Sequence, residues 1–395
     1  MMDIAFLTTA LDRGGAETQM VRLATTLRRR GWRVGILTML PSSAFRDDLV
    51  SAEIPWVECL NARDRIPWRS AVRIVRQLRR WRPVVLVTFN FPADVFGRIC
   101  GRFAGVPAIV SAVGTTHIRT SLRRKFYRLT EPLIAVTVAN SKAAAAAMTA
   151  RGILSPAKTR VIPNGLSLEA FEGLPSREEI RAGLHVRETD FLWLAVGNLR
   201  PAKDYPNLLK AAARCATVSG SFRLLVAGAA QPGTGRNARA LPYAEALRLR
   251  AAELRLEGQV EFLGERDDVP QLLRAADGFV LSSAWEGMPN AVMEAMAAAL
   301  PVVATDVGDV PELVEDRTSG FVVQPGDSEA LADRMLSLMA MPPDQRRAMG
   351  ERGLERIRAR FENERVVDEW EALFRRLVNR NVPDHILPVQ HAPAP

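Results

Sequence analysis

The chain has 395 residues, of which 48% are hydrophobic and 25% charged, and it carries a formal net charge of +9. A chain of this length exceeds a single hydrophobic core, so we expect two domains with the composition of an ordinary globular protein. No apolar run reaches the roughly 18 residues that span a bilayer, which excludes a membrane-spanning helix; Lys142 interrupts the best candidate.

The cysteines and the N-terminus indicate the compartment. Cys59, Cys100 and Cys215 lie far apart and form no Cys-x-x-Cys pair. This favours a reducing compartment and neither disulfide bonds nor a zinc site. The chain enters the apolar run Asp3–Leu7 without a basic leader or cleavage site. We therefore expect a cytoplasmic protein, and peripheral attachment to the inner face of the membrane stays open.

The positive charge is confined to the first part of the chain. Residues 1–164 hold 26 Lys and Arg against 10 Asp and Glu, a net +16, whereas residues 165–395 hold 27 against 34, a net −7. A basic half suits phosphate groups or an anionic membrane surface. Nucleic acid is the weaker alternative, because aromatic residues total only 6% and no nucleic-acid-binding motif occurs.

Short apolar runs alternate with longer helical patterns along the chain. The runs are continuous, as in strands buried on both faces, and the helical patterns between them predict βαβ units and parallel sheets. The predicted strands are Ile4–Leu7, Val34–Leu37, Val84–Thr88, Ala108–Ala112, Ile134–Ala139, Val161–Ile162, Phe191–Val196, Phe222–Ala227, Val260–Leu263, Phe279–Leu281, Val302–Ala304 and Phe321–Val323.

These elements predict an α/β fold with two Rossmann-like domains, whose parallel sheets face each other across a cleft. Turn residues at 162–165 follow a strand and mark the boundary. We predict one domain over residues 1–162 and the other over 163–363. A helix at about 364–378 comes after the second sheet and is expected to cross back onto the first domain. The Pro-rich tail, 383–395, is predicted to be disordered.

The segment from Phe279 to Ala299 predicts a strand, a Gly/Pro loop and a helix. Pro289 fits the first helical turn, and the start of a helix favours an anionic group. Glu286 lies at the mouth of the loop, and Glu294 is the only charge in a helix of Ala, Val and Met. Since carboxylates accept hydrogen bonds from sugar hydroxyls, we predict a ligand with an anionic and a sugar part. Alternatively, Glu286 is a helix-end charge and Glu294 a surface residue.

Strand Phe191–Val196 ends in a loop that carries two cations, Arg200 and Lys203. A departing phosphate group builds up negative charge, and fixed cations stabilise that charge more in the transition state than in the ground state. Arg binds phosphate through a planar fork and Lys as a point charge. The pair therefore predicts a phosphate site, with solvated loop charges as the alternative.

The Glu-x7-Glu spacing of Glu286 and Glu294, with Gly-x-Pro-Asn between them, resembles the signature of family 4 glycosyltransferases, which have the GT-B fold. The segments Ala297–Val314 and Gly320–Asp327 are similar to the same family. The resemblance implies transfer of a sugar, with retention of anomeric configuration, from a nucleotide diphosphate sugar. The acceptor would be a carbohydrate or a lipid-linked glycan in cell-surface polysaccharide biosynthesis.

The resemblance also implies roles for individual residues. Glu294 would hold the ribose of the nucleotide, Glu286 would contact the donor sugar, and Lys203 matches the family's lysine. No metal cofactor is expected, because the sequence contains no Asp-x-Asp motif. The loop that would contact the sugar and the diphosphate consists of Gly287, Met288, Pro289, Asn290 and Ala291.

Two positions depart from the family pattern. The family usually has an arginine where this chain has Asn198, and Arg200 could supply the guanidinium from two residues on. Many members have a histidine where this chain has Val113. His117 follows four residues later and either reaches the site or belongs to a loop. A strong general base is not required, because the departing phosphate oxygen can accept the acceptor's proton.

Two further loops are weaker candidates for the donor site. Gly14 and Gly15 open a helix after the first strand and allow close backbone approach. They resemble the family's first loop, although Gly pairs are common in such turns. Glu265 and Arg266 follow strand Val260–Leu263 and are expected near the nucleotide base, which they do not discriminate.

The basic half contains two helical segments. The first has arginines at helical spacing and favours a solvated helix face; they are Arg69, Arg73, Arg76 and Arg80. The second interleaves cations with Leu122, Phe126 and Tyr127, which suits either an amphipathic helix on anionic lipid or a solvated face. Its cations, which are also candidates for the acceptor side, are Arg123, Arg124, Lys125 and Arg128.

Two other functions stay open at this level. One is an epimerase of the same fold that acts on the nucleotide sugar itself. The other is a catalytically silent, membrane-associated sugar-binding module. Only the epimerase would yield a new nucleotide sugar without an acceptor, and the intact pair of Glu286 and Glu294 speaks against a silent site.

Overall fold

The structure is a computed structural model that describes residues 2–12, 14–41, 44–59, 67–114, 120–219, 221–230 and 240–381. Two of the sequence predictions, for His117 and for the tail 383–395, lie outside the described residues. The chain divides into two compact units. The first contains the chain up to Gly165 and the residues from Asn363 on, and the second contains Leu166–Glu362.

A parallel sheet of seven strands forms the centre of the first unit. The strands are β1 (Ile4–Thr8), β2 (Val34–Thr38), β3 (Trp56–Glu58), β4 (Val85–Phe89), β5 (Ala108–Val113), β6 (Val136–Ala139) and β7 (Thr159–Val161). Their order is β3-β2-β1-β4-β5-β6-β7, and all neighbours pair in parallel. Every residue of β1, β2 and β4 is buried, which accounts for their continuous apolar sequence.

Helices connect the strands of the first unit. They are α1 (Gly15–Arg29), α2 (Arg46–Ser51), α3 (Pro67–Trp81), α4 (Ala93–Ala104), α5 (Ser121–Thr130) and α6 (Lys142–Ala150). Both faces of the sheet are covered by apolar clusters, as a parallel sheet requires.

The second unit repeats this architecture with six strands. They are β8 (Phe191–Val196), β9 (Phe222–Ala227), β10 (Val260–Gly264), β11 (Gly278–Leu281), β12 (Val302–Thr305) and β13 (Gly320–Val323). The order is β10-β9-β8-β11-β12-β13, again parallel throughout. The helices are α7 (Arg177–Gly183), α8 (Tyr205–Val218), α9 (Ala240–Glu253), α10 (Val269–Ala275), α11 (Asn290–Ala297), α12 (Val310–Leu313), α13 (Ser328–Ala340) and α14 (Pro343–Arg360).

The last helix, α15 (Asn363–Asn381), belongs to the first unit. Its residues Trp370 and Phe374 are buried in the same apolar cluster as β1 and α1. Asn363 Nδ2 donates a hydrogen bond of 2.9 Å to Thr26 Oγ1 at the start of this contact. Apolar packing and one buried polar contact therefore fix α15 against α1.

The two parallel sheets confirm the predicted α/β fold class. One strand, β3, was not predicted. It has only three residues at the edge of the first sheet, follows Pro55, and ends in the exposed Glu58. An edge strand of this kind has one neighbour and no continuous apolar run, so no pattern marks it. Across the described ranges, none of the helices is both long and apolar enough to traverse a bilayer.

Candidate functional site

The loops that follow β8, β11 and β12 meet at one edge of the second sheet. The strand order places β8 beside β11 and β11 beside β12, and parallel strands all end at the same edge. Backbone hydrogen bonds join the loops: Ala284 N donates to Ala202 O at 2.9 Å, and Asp309 N donates to Gly287 O at 2.8 Å. The loops predicted to hold the donor are therefore one connected surface.

Lys203 and Glu286 form an ion pair at this edge. Lys203 Nζ lies 2.7 Å from Glu286 Oε1, and the two side chains are only 15% and 17% exposed. Ser283 Oγ donates to the same carboxylate oxygen at 2.7 Å. The sequence predicted both charged residues for the site but not their contact. With solvent largely excluded, this is a fixed pair rather than two solvated loop charges.

Two glycines set the spacing of these loops. A Cβ on Gly308 would lie 2.1 Å from the carbonyl oxygen of Gly287, and Gly308 has a φ of +57°. A Cβ on Gly197, directly after β8, would lie 2.6 Å from Cε of Lys203. Glycine thus lets the backbone approach both sides of the ion pair.

Tyr205 supports the loop after β8 and was missed by the sequence analysis. Its hydroxyl donates to the carbonyl oxygen of Gly197, and its side chain is buried. Burial raises the pKa of Tyr205, and the nearby charge of Glu286 raises it further. The tyrosine therefore stays neutral and holds the loop as a hydrogen-bond donor. No charge or glycine pattern in the sequence marks a residue with this role.

Arg200 and Asn198 lie on the same loop. Arg200 directly precedes a short 3₁₀ turn, Pro201–Lys203, and is exposed. Within the described part of the chain, its guanidinium makes neither a hydrogen bond nor an ion pair. Asn198 is half-buried. Arg200 is therefore a cation available to a ligand, whereas Lys203 is already paired.

The loop after β11 leads into α11 at Asn290. Gly287, Met288 and Pro289 are buried, and Glu294 is half-buried in the second turn of the helix. Pro289 was predicted in the first helical turn, but it directly precedes the helix with φ −77° and ψ 106°. Its carbonyl accepts from Val292 N at 3.1 Å. The proline ring thus restricts the backbone φ of the residue that precedes the helix, one position earlier than predicted.

Glu265 and Arg266 directly follow β10, at the far side of the sheet from β12. Arg266 forms two hydrogen bonds with Asp268, of 2.8 Å from Nε and 2.5 Å from Nη2. These hydrogen bonds lower the pKa of the Asp268 carboxyl. Glu265 is exposed. The guanidinium of Arg266 therefore has an intramolecular partner that a nucleotide base would have to share or displace.

In the first unit, Gly14 directly precedes α1, and Gly15 is its first residue. The first turn carries Glu17, whose Oε1 accepts a hydrogen bond of 2.7 Å from Asn90 Nδ2. A Cβ on Gly14 would lie 2.4 Å from the other oxygen of Glu17. The Gly pair is thus next to a positioned carboxylate. His117 lies outside the described residues.

A cavity of about 50 Å³ lies in the first unit, where β4, β5 and β6 end. Asn140 Nδ2 donates to Asn164 Oδ1 at 3.3 Å, and the buried Asn140 Oδ1 has no hydrogen-bond partner. The lining residues that the structure describes are all uncharged: Ala16, Gln19, Leu23, Phe89, Asn90, Ala112, Val113, Gly114, Val138, Asn140, Ile162, Pro163, Asn164, Gly165, Asn363, Val366, Val367 and Trp370. No pattern in the sequence marks these amides as site residues.

The four cations predicted for the acceptor or membrane side differ in their contacts. The guanidinium of Arg123 stacks 4.4 Å from the Phe91 ring. Arg128 donates to the carbonyl oxygens of residues 151 and 152, each at 2.6 Å. Arg124 and Lys125 are exposed on α5. Among the residues that the structure describes, no three His, Cys, Asp or Glu side chains group as a metal site would need.

Two family models match the chain. The model described as "Glycosyl transferases group 1" matches residues 176–356, and "Glycosyltransferase Family 4" matches residues 13–170. A relative in Escherichia coli, UDP-Gal:alpha-D-GlcNAc-diphosphoundecaprenol alpha-1,3-galactosyltransferase, is 25% identical over 308 residues, 75% of this chain and 76% of that protein. D-inositol 3-phosphate glycosyltransferase of Segniliparus rotundus is 27% identical over 92% of this chain and 85% of that protein.

Among solved structures, HepE of Anabaena in complex with UDP and glucose superimposes with a TM-score of 0.83. The identity is 24%, and the match covers 95% of this chain and 100% of HepE. This likeness concerns the fold. The two models match successive parts of the sequence, so the chain belongs to the family 4 glycosyltransferases, which are enzymes of the hexosyltransferase type. Its two parallel-sheet domains are those of the GT-B fold.

Proposed function

We propose that this protein transfers a sugar from a nucleotide diphosphate sugar to a carbohydrate or lipid-linked acceptor, with retention of anomeric configuration. The observation that carries the proposal is the Lys203–Glu286 pair at the ends of adjacent strands β8 and β11. A diphosphate sugar has an anionic part for the cation and hydroxyls for the carboxylate. No other arrangement in the described second unit combines these two chemistries with the start of a helix at Asn290.

In this reaction the bond between the anomeric carbon and the phosphate oxygen breaks, and a bond from that carbon to an acceptor oxygen forms. The proton of the acceptor hydroxyl passes to the departing diphosphate. Lys203 and Arg200 would stabilise the charge that develops on the leaving group. Their cationic side chains and the positive end of α11 would do this without a metal ion. Glu294 would hold the ribose hydroxyls, and Glu286 those of the donor sugar.

The cavity in the first unit supports an acceptor that carries hydroxyl groups. Its polar groups are carboxamides, among them the unpartnered Oδ1 of Asn140, and its described lining residues carry no charge. Amides can both donate to and accept from sugar hydroxyls. The printed name of the Escherichia coli relative describes a lipid-linked sugar acceptor. Together these support a glycan acceptor in the synthesis of a bacterial cell-surface polysaccharide.

The test begins with a thermal-shift screen of nucleoside diphosphates and their sugars, because a ligand that binds the folded state raises the melting temperature. The donor found in this way is then incubated with the protein in the presence of a chelator. We expect slow donor hydrolysis without acceptor and no new nucleotide sugar. An inverted anomer in the product, or a new nucleotide sugar, would contradict the proposal.

Two substitutions complete the test. Lys203→Ala and Glu294→Ala should each lower kcat/KM for the donor at least about tenfold, the first through a lost transition-state contact and the second through a lost ribose contact. Matched controls lie in the same unit: Lys210→Ala on α8 and Glu329→Ala on α13, both exposed. Wild-type kcat/KM in both site variants would end the assignment.

A further inference from the structure

The cavity in the first unit combines an apolar wall with carboxamide groups. Leu23, Val138 and Trp370 are buried apolar residues of its lining, and Asn90 and Asn140 are carboxamides of the same lining. An apolar wall favours a ligand group without polar atoms, whereas an amide requires a hydrogen-bonding partner. A group that fills this cavity of about 50 Å³ therefore needs a polar and an apolar part next to each other.

Hydrogen bonds within the protein decide which end of each carboxamide is left for a ligand. Asn90 Nδ2 donates to Glu17 Oε1 at 2.7 Å. Since an ionised carboxylate only accepts hydrogen bonds, the nitrogen of Asn90 is the end that faces Glu17. Asn140 Nδ2 donates to Asn164 Oδ1 at 3.3 Å, and the buried Asn140 Oδ1 has no partner. Each amide uses an N–H within the protein, so the cavity offers carbonyl oxygens as hydrogen-bond acceptors.

The amide of Asn140 is held loosely enough to meet an entering donor. Its hydrogen bond to Asn164 is longer than the roughly 2.9 Å that is usual for N–H···O contacts. A Cβ on Gly114 would lie 3.2 Å from Asn140 Nδ2, and this glycine is exposed, so one side of the amide is open. A buried carbonyl oxygen without a partner has lost its water without a replacement. A donor that enters the cavity supplies that replacement.

An acetamido group has the polar and apolar parts that this cavity requires. Its N–H is a donor for the oxygen of Asn140, and its methyl group is apolar like the side chains of Val138 and Trp370. Because the planar amide is trans, its carbonyl points away from its N–H. A hydroxyl group also donates to an amide oxygen, but it leaves the apolar wall without a partner. An ammonium group loses its hydration beside such a wall, which is unfavourable.

We propose that the cavity binds the acetamido group of an N-acetylated acceptor sugar, with the N–H donating to Asn140 Oδ1 and the methyl group against Val138 and Trp370. Asn140 is then a residue that determines acceptor specificity. This inference rests on the proposed function, because it names the class of acceptor sugar for the proposed transfer.

Saturation-transfer NMR of the full chain measures this binding without catalysis. The probes are the octyl glycosides of N-acetylglucosamine and N-acetylgalactosamine, each paired with the glucoside or galactoside that has a hydroxyl in place of the acetamido group. We expect the acetyl methyl protons to receive the strongest saturation. The acetamido sugars should bind at least about tenfold more tightly than their hydroxyl partners, because they gain a methyl contact and a hydrogen bond. N-butanoyl analogues, which are longer by two carbons, should bind more weakly than the N-acetyl sugars.

Asn140→Ala should reduce this preference to about threefold or less, since the hydrogen bond is lost and the methyl contact remains. Asn379→Ala, exposed on α15 of the same unit, is the matched control and should keep the wild-type preference. The ratio compares two sugars on one protein, so a general loss of folded protein cancels. Thermal unfolding of both variants checks their stability.

A wild type without preference for the acetamido sugars, including one that binds none of the four glycosides, would overturn the proposal. So would an unchanged preference in Asn140→Ala. The proposed function fails separately. A protein that transfers sugar to the plain hexosides as readily as to the acetamido sugars would refute only the acetamido site. One that binds the acetamido sugars but no nucleotide sugar in the thermal-shift screen would refute the proposed function.

Discussion

Lys203 Nζ and Glu286 Oε1 lie 2.7 Å apart, and they join the loops after two adjacent strands, β8 and β11. In the absence of a donor, the cation expected to bind phosphate is thus neutralised by the carboxylate expected to bind the sugar. A nucleotide diphosphate must compete with Glu286 for Lys203. The affinity of the site for the nucleotide diphosphate therefore depends on the negative charge of Glu286.

This competition makes Glu286→Gln an informative variant. The amide keeps the size of the side chain and an acceptor for Ser283, but it removes the charge that attracts Lys203. We expect the affinity for the free nucleoside diphosphate to rise about threefold or more, because the phosphate no longer competes with a carboxylate. Turnover should fall at least about tenfold, because a charged contact to the donor sugar is lost. Titration calorimetry and single-turnover kinetics measure the two effects.

Glu329→Gln on the exposed start of α13 is the matched control for that change and should leave both quantities unaltered. Weaker nucleotide binding in Glu286→Gln would show that the carboxylate does not oppose the phosphate. In that case the ion pair would serve to position Lys203 rather than to compete with the ligand.

Gly308→Ala tests the close approach between the loops after β11 and β12. The added Cβ would lie 2.1 Å from a backbone oxygen, Gly287 O, which has little freedom to move, and a φ of +57° is strained for alanine. We expect a loss of about 1–3 kcal/mol in the free energy of unfolding and a raised KM for the donor. Gly258→Ala, where a Cβ meets nothing within 4 Å, should change neither. A Gly308→Ala protein with wild-type stability and KM would contradict the steric account.

The sequence predicted most of the sheet architecture because buried parallel strands have a direct signature. Runs such as Phe191–Val196 are apolar throughout, and each ends in turn residues. The three-residue edge strand β3 has no such signature, since only one neighbour constrains it. The start of α11 was misplaced by one residue, because Pro289 is compatible with both the first turn and the position before it.

The sequence indicates a candidate site residue most clearly where that residue type is unusual for its surroundings. A carboxylate in an otherwise apolar helix, as at Glu294, or a cation after a buried strand, as at Lys203, stands out in a linear sequence. Contacts between loops leave no such local signal in the sequence. The ion pair of Lys203 with Glu286 and the unpartnered oxygen of Asn140 both depend on strand order. Strand order is set by packing over the whole domain, so no local pattern encodes it.

The contact between α1 and α15 should make the first unit sensitive to acid. Burial of Glu371 raises its pKa, but hydrogen bonds from Arg30, Arg375 and Trp32 outweigh burial and hold the pKa below its ordinary value. A carboxyl whose pKa is lowered on folding contributes stability above its unfolded value of about 4.3. That stability is lost as the pH falls through the folded pKa.

Urea unfolding as a function of pH checks this prediction. Glu371→Gln should lower the free energy of unfolding by about 1–2 kcal/mol at neutral pH. The difference from the wild type should shrink as the pH falls below about 4, where the wild-type carboxyl is also neutral. Glu369→Gln, on the exposed side of the same helix, is the control. A difference that stays constant down to acidic pH would rule out the ionic origin.

A fully buried ion pair within α4 positions Arg98, whose other hydrogen bonds reach helix α5. Arg98 Nη2 lies 2.9 Å from Asp94 Oδ2, and neither side chain is exposed. Arg98→Met would leave the Asp94 charge buried without its partner, which costs about 3–5 kcal/mol. The double variant Asp94→Leu/Arg98→Met should cost less, because it removes both charges. Arg102→Met, exposed on the same helix, should cost almost nothing.

Since Arg98 also holds Tyr127 and Thr130, hydrogen exchange in Arg98→Met should speed up in α5 before it does in β1. Uniform exchange over both elements would mean that Arg98 stabilises the whole unit and does not specifically anchor α5.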